Sequence, residues 1–263
     1  MKPLGLLTLL ALAPLTLATP AVACSVAPDY RVPTNLELAE EAELVLLGRV
    51  VGEVEGADPW DRKLLVEPVQ AIKGEMLEGT VSIAYAGLVP EDRPDFGILS
   101  NPYELNQAHP LSYIGGCIRY MFPRGTTALF FLDRAPDGEG WRPSGGPFSR
   151  WAEDVLDEQA PWLMLTQLYV DVAAAPESER KAMLEAERGE LAAMADDPVA
   201  RLIAADIARQ IEGPNPTWHE VMEREMEAHR ELDSAMDAVA DLEASADEPH
   251  EMGQADAMED PER

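Results

Sequence analysis

The chain has 263 residues, with 49 acidic and 20 basic side chains and a formal net charge of −29. Such an acidic chain repels nucleic acid and anionic membrane surfaces, so we expect no nucleic-acid partner. Residues 219–263 contain 16 acidic and 3 basic residues, so that −13 of the net charge lies in this short segment.

The first 23 residues have the composition of an export signal. Lys2 is followed by an apolar stretch over residues 4–17, and the small residues Ala21 and Ala23 form an A-x-A arrangement before Cys24. This apolar stretch is short and interrupted by proline, whereas a membrane-spanning helix needs about 20 apolar residues. We therefore predict a signal peptide over residues 1–23, an exported periplasmic or extracellular protein, and no membrane span.

Cys24 and Cys117 are the two cysteines of the chain. In an oxidising compartment two thiols that can meet usually form one disulfide, which is the interpretation we favour. A lipid anchor on Cys24 is the alternative, because this residue follows Ala-Val-Ala much as a lipoprotein cysteine follows its lipobox. Ala21 stands where such a motif usually has leucine, and a lipid on Cys24 would leave Cys117 unpaired.

The first predicted elements after Cys24 are a short helix and three strands. Thr34 is a suitable N-cap for a helix over residues 36–43. Residues 43–54 are rich in apolar and β-branched side chains and predict a strand, in which Gly48 indicates a bulge or bend. Further strands are predicted over residues 63–72, where Pro68 indicates an edge or bulge, and over residues 80–85.

A proline-rich segment over residues 88–113 interrupts the strands. Loops of this length are uncommon unless they are functional or mobile, so we expect this insertion to bind a partner, with Tyr103 and Tyr113 as exposed aromatic anchors. Strands resume over residues 115–120, 126–132 and 140–143. About five short strands with glycine bends predict an OB-fold-like, closed or partly open five-stranded barrel over residues 24–148.

The remaining chain is predicted to be an α-helical region over residues 149–243. Helical spacing of apolar residues predicts helices over residues 149–158, 161–170, 176–194 and 199–211, and a last helix that begins at Thr217. Asp197 and Pro198 are a typical helix start. Residues 244–263 are acidic and without periodicity, and we predict a disordered tail.

Several landmarks of the first half resemble the N-terminal domain of the tissue inhibitors of metalloproteinases, the netrin-like OB-fold family, in a secreted bacterial version. The landmarks are Cys24-Ser25 at the predicted mature start, the segment Ala-Glu-Leu-Val-Leu-Leu-Gly-Arg-Val-Val over residues 42–51, Ala-Ile-Lys-Gly over residues 71–74, and Cys117. The resemblance covers approximately residues 24–151. Val26 stands where the family has a second cysteine.

The resemblance implies a mode of binding. In this family the leading cysteine forms a disulfide with a later cysteine, to which Cys117 would correspond. The free amine and the carbonyl of the leading cysteine chelate the catalytic zinc of a metalloprotease. Cys24, Ser25 and Val26 would then contact the partner. Because Val26 removes one disulfide, the resemblance supports the fold more strongly than protease inhibition.

The residues of the chain give no catalytic or metal-binding constellation. His219-Glu-Val-Met-Glu223 lacks the second histidine of the H-E-x-x-H motif, and no nucleophile elbow is present. We therefore predict no catalytic residues, no metal and no cofactor, and a non-enzymatic exported binding module that modulates or inhibits a protease. An envelope-associated assembly protein that uses its acidic helices is the alternative, and a hydrolase with an unrecognised site is the least favoured.

Overall fold

The computed structural model describes residues 26–56, 58 and 61–246. The predicted signal peptide, Cys24, Ser25 and residues 247–263 of the predicted tail lie outside these residues. The described elements in chain order are α1 (Asn35–Glu41), β1 (Leu44–Val54), β2 (Lys63–Lys73), β3 (Val81–Ala84), β4 (Gly87–Leu88), β5 (Met121–Phe122), β6 (Thr127–Arg134), β7 (Trp141–Pro143), β8 (Ala152–Asp154), α2 (Pro161–Ala174), α3 (Glu177–Ala193), α4 (Pro198–Glu212) and α5 (Trp218–Ala246).

Five of these strands close into a barrel. β1 pairs antiparallel with β2, β2 with β3, and β6 with both β1 and β7. A short parallel pairing between Ile83 of β3 and Trp141 of β7 completes the circle, and β8 extends the sheet beside β6. The predicted fold class is confirmed: an OB-type five-stranded barrel is followed by an α-helical region.

Two hydrophobic cores lie on the two faces of β1. Leu44, Leu46 and Val50 point into the barrel, whereas Val45 and Leu47 point outward against the helices. A strand that is buried on both faces has apolar residues at successive positions instead of alternate ones, which explains the nearly continuous apolar run of residues 43–54. The helical core consists of side chains from α1 to α4, including Leu38, Leu163, Leu165, Val172, Leu184, Ile203 and Ile207.

Gly48 marks an irregularity in β1, as the sequence predicts. The pairing of β1 with β2 shifts register between Leu47 and Gly48, where Gly48 lies opposite Pro68. Proline has no N–H to donate, so it is accommodated where the ladder is irregular. A Cβ atom on Gly48 would lie 2.3 Å from Cγ1 of Val66, which leaves no room for a side chain.

Local capping fixes the starts of α1 and α4. The Glu37 N–H donates to Oγ1 of Thr34 (3.2 Å), and the Thr34 N–H donates to Oε2 of Glu37 (2.8 Å), which forms a capping box. At α4, Oδ1 of Asp197 accepts a hydrogen bond from the Val199 N–H (2.8 Å), and Pro198 takes the first helical position. Both predicted helix starts are confirmed.

A buried carboxylate joins α1, α2 and α4. The Tyr169 hydroxyl donates to Asp206 (2.6 Å), and the Asn35 side-chain amide donates to the same carboxylate (3.1 Å). Burial, followed by the Asp206 charge and hydrogen bond, raises the pKa of Tyr169. Since an unpaired buried carboxylate is costly, these bonds fix how the three helices pack on one another.

The predicted helix over residues 149–158 is wrong. Residues 152–154 form β8, in which Ala152 pairs with Phe130 and Asp154 with Ala128 of β6. All residues from 148 to 155 are buried. Trp151 and Ala152 belong to the barrel core, and Glu153 and Asp154 bind Ser100 of the insertion. A helix would bury only one side of such a segment.

The contacts divide the described residues into two units. The first comprises residues 26, 32–56, 58 and 61–215, so that α1 to α4 belong with the barrel. The second comprises residues 27–31 and 216–246; in it Arg31 pairs antiparallel with Thr217, and the Trp218 N–H donates to the Tyr30 carbonyl (2.7 Å). In the described part of the chain no helix combines the length and hydrophobicity that a membrane span requires.

The tight contact at Gly48 predicts the effect of a single methyl group. Gly48→Ala should lower the free energy of unfolding by about 1–3 kcal/mol, because the added Cβ collides with Val66 in the barrel core. The control is Gly189→Ala in α3, where a Cβ meets nothing within 4 Å and helix propensity should raise stability by about 0.5–1 kcal/mol. Urea denaturation measures both changes, and equal midpoints for the two variants would contradict the prediction.

Candidate binding surface

The insertion, residues 88–113, is fastened to the barrel by a buried ion pair. Arg119 donates to both oxygens of Asp154 on β8, at 2.9 and 3.0 Å, and the two side chains are only 1% and 0% exposed. Ser100 of the insertion joins this pair, because its N–H donates to Asp154 (2.6 Å) and its hydroxyl donates to Glu153 (2.6 Å). The insertion is therefore hydrogen-bonded to β8 through the backbone and the hydroxyl of Ser100.

His109 is a second anchor of the insertion. Its N–H donates to Glu153 (3.1 Å), its Nδ1 accepts from the Leu111 N–H (3.1 Å), and its Nε2 lies 2.9 Å from the Ile98 carbonyl. These partners assign the neutral tautomer with the proton on Nε2. Burial, followed by the Arg119 charge, lowers the pKa of His109 to about 4. Because both ring nitrogens serve the backbone, the histidine has a structural role.

The outer face of the insertion carries exposed apolar side chains. Tyr103 is 63% exposed and Tyr113 is 51% exposed, so the structure places both predicted anchors at the surface. Tyr113 stacks on Phe148 with ring centroids 5.4 Å apart, whereas the described contacts of Tyr103 are local to the insertion. Other exposed apolar residues of this segment are Ile98 and Leu99 in the insertion and Ile114 directly after it.

The Cys117 turn, residues 115–117, adjoins this face. Cys117 has a φ of 60°, and its carbonyl accepts a hydrogen bond from the Phe148 N–H at 2.6 Å. Cys24, the partner that the sequence predicts, and Ser25 lie outside the described residues, and Val26 is partly exposed.

Backbone strain occurs at the Cys117 turn, at Phe148, which is hydrogen-bonded to Cys117, and at Tyr85 between β3 and β4. Among the described non-glycine residues, positive φ angles occur at Tyr85 (63°), Cys117 (60°) and Phe148 (58°). Such a conformation costs an L-residue about 1–2 kcal/mol. Residues held in this way cluster at ligand-binding and active sites, where the surrounding structure over-determines them.

A cavity of about 280 Å³ lies beside the same turn. We call it the tyrosine cavity; it is lined by Tyr85, Tyr120, Met121, Pro90, Ala86, Gly87 and Arg62. The Tyr120 ring connects the cavity to the turn, because a Cβ on Gly116 would lie 3.0 Å from Cδ1 of Tyr120. Arg62 supplies the charged group of the wall, at 3.9 Å from Glu53. A mainly apolar cavity with one cation is typical of a site that accepts an apolar side chain or a small amphipathic ligand.

Sequence reasoning identified the insertion, its tyrosines and Cys117, but missed the tyrosine cavity. Tyr85 ends a predicted strand and Tyr120 follows Cys117, and no spacing rule connects them. The cavity forms because β4, which follows Tyr85, pairs in parallel with β5, which follows Tyr120. A positive φ at a tyrosine leaves no signal in the sequence.

The described residues hold no group of three or more His, Cys, Asp or Glu side chains placed to bind a metal ion. Two of the buried hydroxyls near the surface, those of Ser149 and Ser100, are hydrogen-bonded within the fold. Ser149 donates to the carbonyls of Ser144 (3.0 Å) and Gly146 (2.8 Å), and Ser100 donates to Glu153.

The buried ion pair predicts a large difference between two carboxylate substitutions. Asp154→Asn should lower the free energy of unfolding by about 3–5 kcal/mol, because it leaves the Arg119 charge buried without a counter-ion. Glu67→Gln breaks the exposed pair between Arg49 and Glu67 and should cost less than about 1 kcal/mol. Urea denaturation measures stability, and limited proteolysis should cut the insertion faster in the Asp154 variant alone. Similar costs for both substitutions would contradict this account.

The lowered pKa of His109 predicts a pH dependence. The unfolded chain has the ordinary histidine pKa of 6.5 and takes up a proton below that pH, whereas the folded histidine stays neutral down to about pH 4. The contribution of His109 to the free energy of unfolding is therefore complete above pH 6.5 and is lost as the pH falls toward 4. His109→Gln should flatten the decline in unfolding free energy between about pH 7 and pH 5. Parallel curves for wild type and His109→Gln would refute the assignment.

No protein-family model matches the chain, and no curated protein is significantly similar to it in sequence. The resemblance to the netrin-like family rests on the residues quoted above and remains a prediction.

Proposed function

We propose that this protein is an exported binding module that recognises a protein partner through the surface around the Cys117 turn. This surface comprises the exposed face of the insertion, the turn itself and the tyrosine cavity. The supporting observation is the coincidence of three strained residues, Tyr85, Cys117 and Phe148, with exposed aromatic side chains. The compartment rests on the predicted signal peptide, and the partner class rests on the netrin-like resemblance.

The anchoring of the insertion supports this function energetically. A mobile loop loses conformational freedom when it binds, at about 0.5–1.5 kcal/mol for each side chain that becomes fixed. The ion pair of Arg119 and Asp154 and the bonds of Ser100 and His109 hold the insertion before any partner arrives. Tyr113, which stacks on Phe148, is likewise held in place while half of its surface remains exposed.

The side chains of the surface match what protein interfaces use. Tyrosine, methionine and arginine are enriched at the centres of such interfaces, where their side chains bury large area. Tyrosine and arginine also offer a polar group. Tyr85, Tyr113 and Met121 supply area, and Arg62 offers donors to a carboxylate or carbonyl of the partner. An apolar side chain of the partner would occupy the tyrosine cavity.

A finer form of the proposal concerns the partner. A disulfide between Cys24 and Cys117 would bring the mature N-terminus to the strained turn. The amine and carbonyl of Cys24 would then be available to the open coordination position of a catalytic zinc ion in a metalloprotease. Because Val26 stands in place of a second cysteine, one disulfide at most would hold this end of the chain.

Site-directed photo-crosslinking tests the binding surface. A photoreactive amino acid at Tyr85, Tyr103 or Tyr113 of the exported chain should crosslink to the same partner, because all three side chains are at least half exposed. The same amino acid at Met194, which is 50% exposed at the end of α3, is the control and should not capture that partner. Mass spectrometry identifies the product. Equal capture at Met194, or no capture at the three tyrosines, would refute the surface.

Protease inhibition is tested separately with purified zinc endopeptidases. The mature chain that begins at Cys24 should inhibit, and the same chain with one additional alanine before Cys24 should not, because its amine is displaced from the cysteine. Equal inhibition by both chains would reject zinc chelation and leave the binding surface to the crosslinking result.

A further inference from the structure

Helix α5, which lies in the second unit, exposes a row of large apolar side chains. Met222, Met226, Leu232 and Met236 are 36%, 50%, 56% and 63% exposed. At about 100° per residue these four positions fall within an arc of about 120° on the helix. We call this row the methionine stripe. Isolated exposed apolar residues are ordinary, but an aligned set on one helix face is typical of an interaction surface.

Carboxylates lie within the stripe and around it. Glu225 and Asp233 fall within the same arc as the four apolar residues, at helical spacings of three or four from them. From Trp218 to Met236 the helix contains six acidic and two basic residues, and therefore has a net charge of −4 with histidine neutral. The stripe is thus both apolar and negative.

We propose that the methionine stripe of α5 docks a cationic amphipathic helix. Lysine and arginine side chains of the partner would pair with Glu225 and Asp233, and their methylene stems would cover the same apolar surface as the partner's leucines. Methionine suits such a surface, because its unbranched thioether adapts to different apolar neighbours. This inference concerns a different surface from the Cys117 turn and does not depend on it.

Charge decides between this partner and the alternatives. A second copy of α5 would bring Glu225 and Asp233 against the same residues of its twin, and desolvated like charges repel. A neutral apolar helix would bury both carboxylates without a counter-ion, which is also costly. A cationic amphipathic helix covers the apolar side chains and neutralises the carboxylates in one contact.

The test uses the full chain and a synthetic probe. The probe is a helical peptide of leucine and lysine with leucine at positions i, i+3, i+4 and i+7, and the control peptide has the same composition in scrambled order. The chain should bind the ordered peptide about tenfold more tightly than the scrambled one, as measured by isothermal titration calorimetry. Circular dichroism of the two double variants described next verifies that their helix content is unchanged.

Two matched double variants locate the contact. Met226→Ser with Leu232→Ser should weaken binding of the ordered peptide about tenfold. Met76→Ser with Met194→Ser replaces apolar residues of similar exposure outside α5 and should leave the affinity within about twofold.

Three results would overturn the proposal. The first is equal affinity for the ordered and scrambled peptides, which indicates attraction by charge alone. The second is unchanged affinity in the stripe variant. The third is a dimer of the free chain, seen by sedimentation and abolished in the stripe variant, which assigns the stripe to a second copy.

Discussion

The buried pair of Arg119 and Asp154 is the interaction on which the candidate surface depends. Two charges removed from water are tolerated only when their geometry is good and their remaining donors and acceptors are satisfied. Ser100 of the insertion meets part of this demand, because its N–H donates to Asp154 and its hydroxyl accepts from Nη1 of Arg119. The Phe122 ring lies 4.4 Å below the Arg119 guanidinium, whereas Nε of Arg119 has no hydrogen-bond partner among the described residues. A long proline-rich segment, in which regular structure is limited mainly to two short 3-10 helices at Pro94–Phe96 and Pro110–Tyr113, is thereby held against β8.

The second constraint is the burial of β1 on both faces. Its inward side chains fill the barrel, and its outward side chains supply the floor on which α1 and α2 pack. Phe131 on the neighbouring β6 continues this floor and stacks with Trp162 of α2 at 5.6 Å. The barrel and the helices up to α4 consequently form one unit, because neither can bury its apolar surface without the other.

The surface that we propose for binding combines residues of strained backbone with exposed aromatic side chains. The conformational cost of positive φ at Tyr85, Cys117 and Phe148 is offset by local contacts, such as the hydrogen bond from Phe148 to Cys117 and the stacking of Tyr113. Helix α5 differs in character. At its start Glu220 accepts hydrogen bonds from Thr217. Its methionine stripe faces solvent, so we infer that the stripe binds a partner and does not pack in the core.

Sequence alone determined the features that arise from neighbouring residues. The capping box at Thr34 and Glu37, the start of α4 at Asp197 and the bulge at Gly48 all depend on local chemistry, and the apolar run of β1 identifies a buried strand. The order of short strands was enough to predict a five-stranded barrel.

Tertiary structure decided what depends on residues far apart in the chain. Residues 149–158 have a helical pattern, yet their middle became β8, because pairing with β6 satisfies its backbone while Arg119 neutralises Asp154. The tyrosine cavity likewise exists only where β4 meets β5. No local pattern encodes such pairings, since their free energy comes from desolvation and packing between segments that the sequence separates.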